Sequence, residues 1–228
     1  MIVLLFGAPG SGKGTQARFI SECRRIPAIS TGDMLRAECR AGTELGKAAC
    51  AVVSKGGLLD DATINAIVAK RLQQPDCRSG YILDGYPRTI SQGISLARLL
   101  EDHELPEPAI VHLDVPDRAL VARLSSRRYC PSCGRTYNLL AQPPARAGEC
   151  DDDGQTLIHR PDDDEKVVIE RLKAYHKVTE PLIEYYQGPH YHRIDGDCTP
   201  AEISERIEAV IMAGAHLPDP VPVSRRKR

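Results

Sequence analysis

The stretch GAPGSGKGTQ, Gly7 to Gln16, follows directly on the apolar run Ile2 to Phe6 and constrains the chain more than any other feature. Gly7, Gly10 and Gly12 let the backbone double back so that its N–H groups converge on an anion. Lys13 adds a mobile cation, and the helix that follows points its positive end at the same spot. The loop departs from the G-x-x-x-x-G-K-[ST] pattern at one place. Gly14 stands where a metal-binding hydroxyl is expected, and Thr15 comes one residue later. A magnesium ion accompanying the phosphates must then be held mainly by those phosphates and by water. Asp84, which closes the apolar run YILD, is placed to anchor the waters.

Short apolar runs recur at 2–6, 27–30, 81–84, 109–115 and 192–195, separated mostly by segments with helical periodicity. That alternation predicts an α/β fold: a five-stranded parallel sheet flanked by helices. Helices are expected at about 13–24, 33–41, 61–73, 90–102, 117–127, 164–186 and 200–213. The formal net charge of -1 offers no global basic field for nucleic acid or an anionic membrane, so any phosphate chemistry relies on locally placed cations. The N-terminal apolar run is too short for a signal peptide and no segment has the length of a membrane span. Eight cysteines, scattered without the tight spacing of a small secreted scaffold, fit a reducing cytoplasm.

One stretch breaks the pattern. From about Tyr129 to His159 the chain carries CPSC, PP, several glycines and an acidic DDD, too poor in apolar residues to fold by burial alone. Cys130 and Cys133 form a C-x-x-C, and Cys150 stands sixteen intervening residues further on. Asp153 repeats the spacing and completes a four-coordinate site, with Asp151, Asp152 and His159 as possible substitutes. Zinc leads as the metal, although cobalt or ferrous iron would accept the same ligands, and a closed set of protein ligands makes the site structural. The tail 217–228, proline-spaced and basic, reads as disordered.

Three motifs, GAPGSGKGTQ, STGDMLR (30–36) and DGYPRT (84–89), arrive in an order and spacing that resembles the adenylate kinase family of nucleoside monophosphate kinases, and the resemblance runs to about residue 213. It implies a P-loop NTPase fold with a core at 1–29, 60–126 and 161–216, an AMP-binding subdomain at 30–59 and a metal-binding lid at 127–160. The implied reaction is magnesium-dependent transfer of the ATP γ-phosphoryl group to AMP, giving two ADP. A phosphate monoester is already a nucleophile, so such a site needs cations and alignment more than a base. Lys13, Arg36, Arg88, Arg123, Arg127, Arg160 and Arg171 are the candidate cations. Arg123 and Arg127 are four residues apart and are expected on one helical face, and Arg171 returns to nearly the face of Arg160 if that helix is continuous.

By resemblance, ATP would meet Gly10, Ser11, Gly12, Lys13, Gly14, Thr15, Arg123, Arg127, Thr136 and Tyr137. Tyr137 serves either that contact or the small core of the lid. AMP would meet Thr31, Arg36, the backbone of Gly57, Leu58 and Leu59, the turn Gly85, Tyr86, Pro87 and Arg88, and Gln92, with Arg160 and Arg171 bridging both nucleotides. The Gln92 amide complements the N6 and N1 edge of adenine, unless it is a plain exposed helix residue. Gly42, Gly46, Gly56 and Gly57 border a small helical segment that would close over AMP. A monomer is expected, with no nucleic-acid or membrane partner. Two other readings share parts of the pattern. A UMP or CMP kinase has the same loop and DGYPR region, but the long lid and the pair Thr31 and Gln92 argue against it. A zinc-containing nucleic-acid-binding regulator would use the knuckle, but the flanking DDD repels phosphates.

Overall fold

The computed structural model describes residues 1–53, 55 and 57–214. The expectations for Gly56 and for the tail 217–228 lie outside the described residues, as do the last two positions of the predicted core segment, 215–216.

The chain runs β1 (Ile2–Phe6), α1 (Lys13–Arg24), β2 (Ala28–Ser30), α2 (Thr31–Ala41), α3 (Glu44–Val53), α4 (Asp61–Leu72), β3 (Tyr81–Asp84), α5 (Ile90–Asp102), β4 (Ala109–Asp114) and α6 (Asp117–Ser125). It continues through β5 (Arg127–Tyr129), β6 (Thr136–Asn138), α7 (Glu165–Ala174), α8 (Glu180–Tyr185), β7 (Tyr191–Asp195) and α9 (Pro200–Gly214). Five strands form a parallel sheet in the order β2-β3-β1-β4-β7. A parallel sheet is covered on both faces, which is why β1 is apolar at every position and wholly buried.

Side chains alternate between the two faces. Ile2, Leu4 and Phe6 pack with Ile64 and Val68 of α4, Leu96 and Leu100 of α5 and Leu182 of α8. Val3 and Leu5 point the other way, to Ala17 and Ile20 of α1 and to Ile203, Ile207 and Ile211 of α9. The carboxyl ends of β1, β3, β4 and β7 open on one edge, and the strand order reverses about β1, the place where ligands enter open α/β sheets.

Two helices and one covalent bond differ from the sequence expectation. The predicted helix 117–127 stops at Ser125, and Arg127 opens the strand β5, so Arg123 and Arg127 do not share a helical face. The antiparallel bond of Arg127 to Asn138 in register takes the chain out of the helix. The predicted helix 164–186 is interrupted by a π-helical turn, Tyr175–Thr179, and its first part begins at Glu165, capped by the Asp164 side chain. Arg160 precedes a tight turn, Pro161–Asp163, and so is not on the helix that carries Arg171.

The third difference is a bond. Cys39 of α2 and Cys50 of α3 are joined as a disulfide, with Cα atoms 5.7 Å apart. The helices approach this closely because Gly46 lies inside α3, where an added Cβ would fall 2.0 Å from the Glu38 carbonyl oxygen, and because Ala49 is fully buried. Gly46 is thus a packing position within a helix, in contrast to Gly42, whose φ of 66° ends α2. Cys23, Cys77, Cys130, Cys133, Cys150 and Cys198 are free.

The π-turn carries His176, whose Nδ1 meets Glu180 at 2.9 Å and whose Nε2 meets Asp117, at the start of α6, at 3.0 Å. The hydrogen bond to Glu180, followed by that to Asp117, raises the imidazole above its ordinary value. The stabilisation is therefore complete below the unfolded pKa of ~6.5 and is lost as pH rises through the higher folded value. The pair is partly exposed, so its contribution is at most ~1 kcal/mol. Thermal melts of the wild type and His176→Gln should differ by a few degrees at about pH 6 and converge at about pH 8.5.

Candidate active site

The cleft at the carboxyl edge of the sheet begins with the loop after β1. Gly7 has φ 143° and an added Cβ would fall 2.5 Å from Ser11 Oγ and 2.6 Å from the Leu113 carbonyl oxygen, so only glycine fits beneath the loop. Gly12, at φ 99°, is the N-cap of α1 and supplies no side-chain cap, which leaves the first N–H groups of α1 directed along the loop. Lys13 Nζ donates to the Gly7 carbonyl at 2.6 Å and the Ala8 carbonyl at 2.9 Å, folding over the concavity that the loop makes. Burial lowers its pKa to about 8, with Asp84 opposing that shift. Asp84, at the end of β3, stands with Oδ2 3.5 Å from the Cβ position of Gly14. An added Cβ at residue 14 would make an ordinary contact with the carboxylate, and burial raises the Asp84 pKa while Lys13 restrains the rise. Asp84 is thus the hard oxygen donor nearest the loop, suited to hold magnesium-bound water.

The arginines enter the same cleft from separate segments. Arg36 of α2 donates to Asp33 at 2.6 Å and stands 4.0 Å from Asp162. Although burial opposes its charge, Asp33 and Asp162 hold its pKa above the ordinary guanidinium value. Arg88 donates through Nε to the Gly85 carbonyl at 2.8 Å in the turn after β3, which contains a cis Tyr86–Pro87 bond. Burial first, then Arg171, bring its pKa down to about 10. Arg127 forks onto Asp163 at 2.7 and 2.5 Å, and Asp163 is 1% exposed. Arg171 reaches the Asp162 carboxylate at 3.0 Å and Asp163 at 3.3 Å. Arg160 is buried, and burial followed by Arg127 and Arg36 lowers its pKa to about 10.

Lys13, Arg36, Arg88, Arg127, Arg160 and Arg171 all line one cleft of about 1970 Å³. Arg123 also lines it, but its fork is used on the loop after β7, donating to the Gly196 carbonyl at 2.9 Å and to Asp197 at 3.1 Å. The aspartates that hold this array, Asp162 and Asp163, were absent from the sequence reading. Their signal lay in the acidic run PDDD immediately after Arg160 and ahead of the helix bearing Arg171.

The remaining expected residues fall as follows. Gly10, Ser11, Gly14, Thr15, Gly57, Leu58, Leu59, Gly85, Pro87 and Thr136 line the cleft. Thr31 donates to the Gly85 carbonyl at 2.8 Å. Gln92 is 2% exposed, which removes the plain surface reading. Its Oε1 accepts from the Arg88 N–H at 2.8 Å and its Nε2 donates to Asp61 at 2.7 Å, so the two partners fix which way the amide faces. Tyr86 does not line the cleft: its ring is in the core and its hydroxyl donates to Asn65 at 2.7 Å. Tyr137 borders the cleft but also packs with Cys130, Cys150 and Leu157, and its hydroxyl lies 3.4 Å from Cys150 Sγ.

In the 127–160 module, ligand atoms of Cys130, Cys133, Cys150 and Asp153 lie within 4.8 Å of one another. Cys133 and Cys150 sulfurs are 3.5 Å apart, near the ~3.7 Å edge of a tetrahedron with ~2.3 Å metal–sulfur bonds. Asp151 and Asp152 pair with Arg135, and Asp152 also meets Arg18 at 3.4 Å, whereas Asp153 stands 3.4 Å from Cys130 Sγ and within the ligand cluster. The donor set fits zinc.

Comparison with known proteins agrees with this geometry. The family model described as adenylate kinase matches residues 5–190. An adenylate kinase of Trichlorobacter lovleyi is 46% identical over 213 residues, covering 93% of this chain and 100% of that protein. The chain belongs to the adenylate kinase family.

Proposed function

We propose that the chain moves the γ-phosphoryl group of ATP to AMP, reversibly and with magnesium, giving two ADP. The observation that carries this reading is the meeting of Lys13, Arg36, Arg88, Arg127, Arg160 and Arg171 along one cleft of about 1970 Å³. That volume is about twice the upper end of ordinary single-ligand pockets, ~1,000 Å³, and suits two nucleotides placed end to end. ATP would lie on the loop 7–15, with Thr136, Tyr137, Arg123 and Arg127 on its outer side. AMP would lie against Thr31, Gly57 to Leu59, Gly85, Pro87, Arg88 and Gln92, its phosphate on Arg36 and Arg88. Arg160 and Arg171 would span the gap between the two phosphates. Magnesium bound with ATP would neutralise phosphate charge, and Asp84 would hold its waters.

The AMP phosphate is itself the nucleophile, so the chain's work is to align two polyanions and exclude water. Segment 30–59 would close over AMP, and the 127–160 module over ATP as a lid. Within that lid Cys130, Cys133, Cys150 and Asp153 would hold zinc as a structural ion. The three thiols must be reduced to serve; we read the protein as cytoplasmic, a reading to which the Cys39–Cys50 bond runs counter. Among the described residues no helix is long and apolar enough to cross a membrane. We read the protein as a monomer that acts on small nucleotides and not on nucleic acid.

ADP formation from ATP should be fastest with AMP when AMP, UMP, CMP and GMP are offered in turn. Faster turnover of a pyrimidine monophosphate would overturn the assignment of Thr31 and Gln92 to adenine. Arg88→Gln should lower kcat/KM for AMP about a hundredfold, the effect of losing ~3 kcal/mol of charge-assisted hydrogen bonding. Unchanged turnover would remove Arg88 from the site.

Metal analysis of the purified protein should return one zinc per chain, and Asp153→Ala should reduce that content. Chelation should lower the melting temperature and expose residues 127–160 to limited proteolysis, because the module has only Cys130, Tyr137, Cys150 and Leu157 as a core. Protection of that segment after complete metal removal would count against a structural ion.

A further inference from the structure

Arg160 differs from its neighbours in how it is held. Arg36, Arg127 and Arg171 each rest on a carboxylate, from Asp33, Asp163 and Asp162. Arg160 is 8% exposed and its Nε is buried without a hydrogen-bond partner. A guanidinium in such a place is costly unless something replaces the water it has lost. Its carbon Cζ instead lies 4.5 Å from the centre of the Tyr129 ring, within the range of a cation–π contact.

Tyr129 is itself 8% exposed and is fixed at both ends. Its backbone exchanges hydrogen bonds with Ile158, N–H to carbonyl at 3.0 Å and the reverse at 2.9 Å, which sets the register of the strand that leads to Arg160 two residues later. Its hydroxyl accepts from Arg40 Nη1 of α2 at 3.2 Å, so the ring cannot turn freely. Tyr129 lines the same cleft as Arg160.

We propose that Tyr129 is a positioning residue for phosphoryl transfer: its ring face holds the Arg160 guanidinium in the transfer cleft without neutralising it, while its hydroxyl links that hinge of the lid to the AMP-binding segment through Arg40. A carboxylate in the same position would hold Arg160 more firmly but would cancel its charge and occupy its donors. An aromatic face orients the planar cation and leaves its in-plane N–H groups for phosphate oxygens. The inference rests on the reading of Arg160 as a substrate-bridging residue.

The experiment varies the ring's electrons at constant shape. In the full-length, zinc-loaded protein, Tyr129 is replaced by Phe and then by mono-, di- and trifluorinated phenylalanine. The hydroxyl contact to Arg40 is absent throughout the series, so only the face toward Arg160 changes. We expect kcat for ATP and AMP to fall stepwise with fluorination, by about tenfold across the series, with melting temperature and zinc content unchanged. A kcat indifferent to fluorination overturns the proposal. Tyr129→Leu should fall at least as far as the trifluorinated protein; a folded, fully active Leu variant would also overturn it, and if that variant does not fold the fluorinated series decides. Arg160→Gln, measured in parallel, separates the two levels. Wild-type activity there would defeat the role given to Arg160, whereas a loss of about a hundredfold beside a flat fluorinated series would defeat only the role given to Tyr129.

Discussion

Crowded positive charge is the constraint on which the rest of the molecule depends. Two like charges ~4 Å apart repel by ~4 kcal/mol at an effective dielectric of ~20, and the cleft brings together Lys13, Arg36, Arg88, Arg127, Arg160 and Arg171. Burial first, and neighbouring guanidiniums after it, lower the pKa values of Lys13, Arg88 and Arg160. Asp162 and Asp163 offset the repulsion by sitting beneath Arg127 and Arg171, and Asp33 does the same for Arg36. The offset is incomplete by design of the geometry: Arg88 and Arg160 rest on a backbone carbonyl and an aromatic ring, neither of which carries a full negative charge. What remains is a field that two phosphate chains can complete.

The fold and the phosphate end of the site were legible because both are dictated by local rules. A buried parallel strand must be apolar throughout, as β1 is, and a backbone that folds under an anion needs glycine where φ is positive, as at Gly7, Gly10 and Gly12. The limits of the five strands of the parallel sheet fall within about a residue of the sequence expectation for the same reason, whereas β5 and β6 were not expected. Spacing on a supposed continuous helix failed for Arg123 with Arg127 and for Arg160 with Arg171. Helical periodicity cannot report a chain that leaves the helix to pair with a strand, as at Arg127, or that turns tightly at Pro161. Arg127 and Arg171 still converge, through a shared Asp163 and not through a shared helical face.

What stayed hidden was long-range partnership. Gln92 looks like any helix residue until Asp61 and the Arg88 N–H are brought to its amide, and the Cys39–Cys50 bond depends on how closely α2 and α3 can pack over Gly46. Tyr129 carries no signal at all in the sequence beyond its place next to the C-x-x-C. Its meaning comes from Arg160, which is distant in sequence and adjacent in space.

The metal-binding module shows why such a site is built on coordination and not on an apolar core. A segment that faces phosphates must present Arg127, Thr136 and backbone to the cleft, and so cannot turn a large hydrophobic surface inward. Its hydrophobic cluster is Cys130, Tyr137, Cys150 and Leu157, too little to order some thirty residues, each of which loses ~1–2 kcal/mol of backbone entropy on folding. Three thiols and a carboxylate whose ligand atoms lie within 4.8 Å of one another would, on one ion, supply the difference at a single point and leave the inner face polar. The same economy appears at the hinge, where one tyrosine joins Arg40, Ile158 and Arg160. A module held at a few points would move as one body, and under the proposed lid closure that is the mechanical condition for bringing Arg127 and Arg160 to the phosphates together and withdrawing them together.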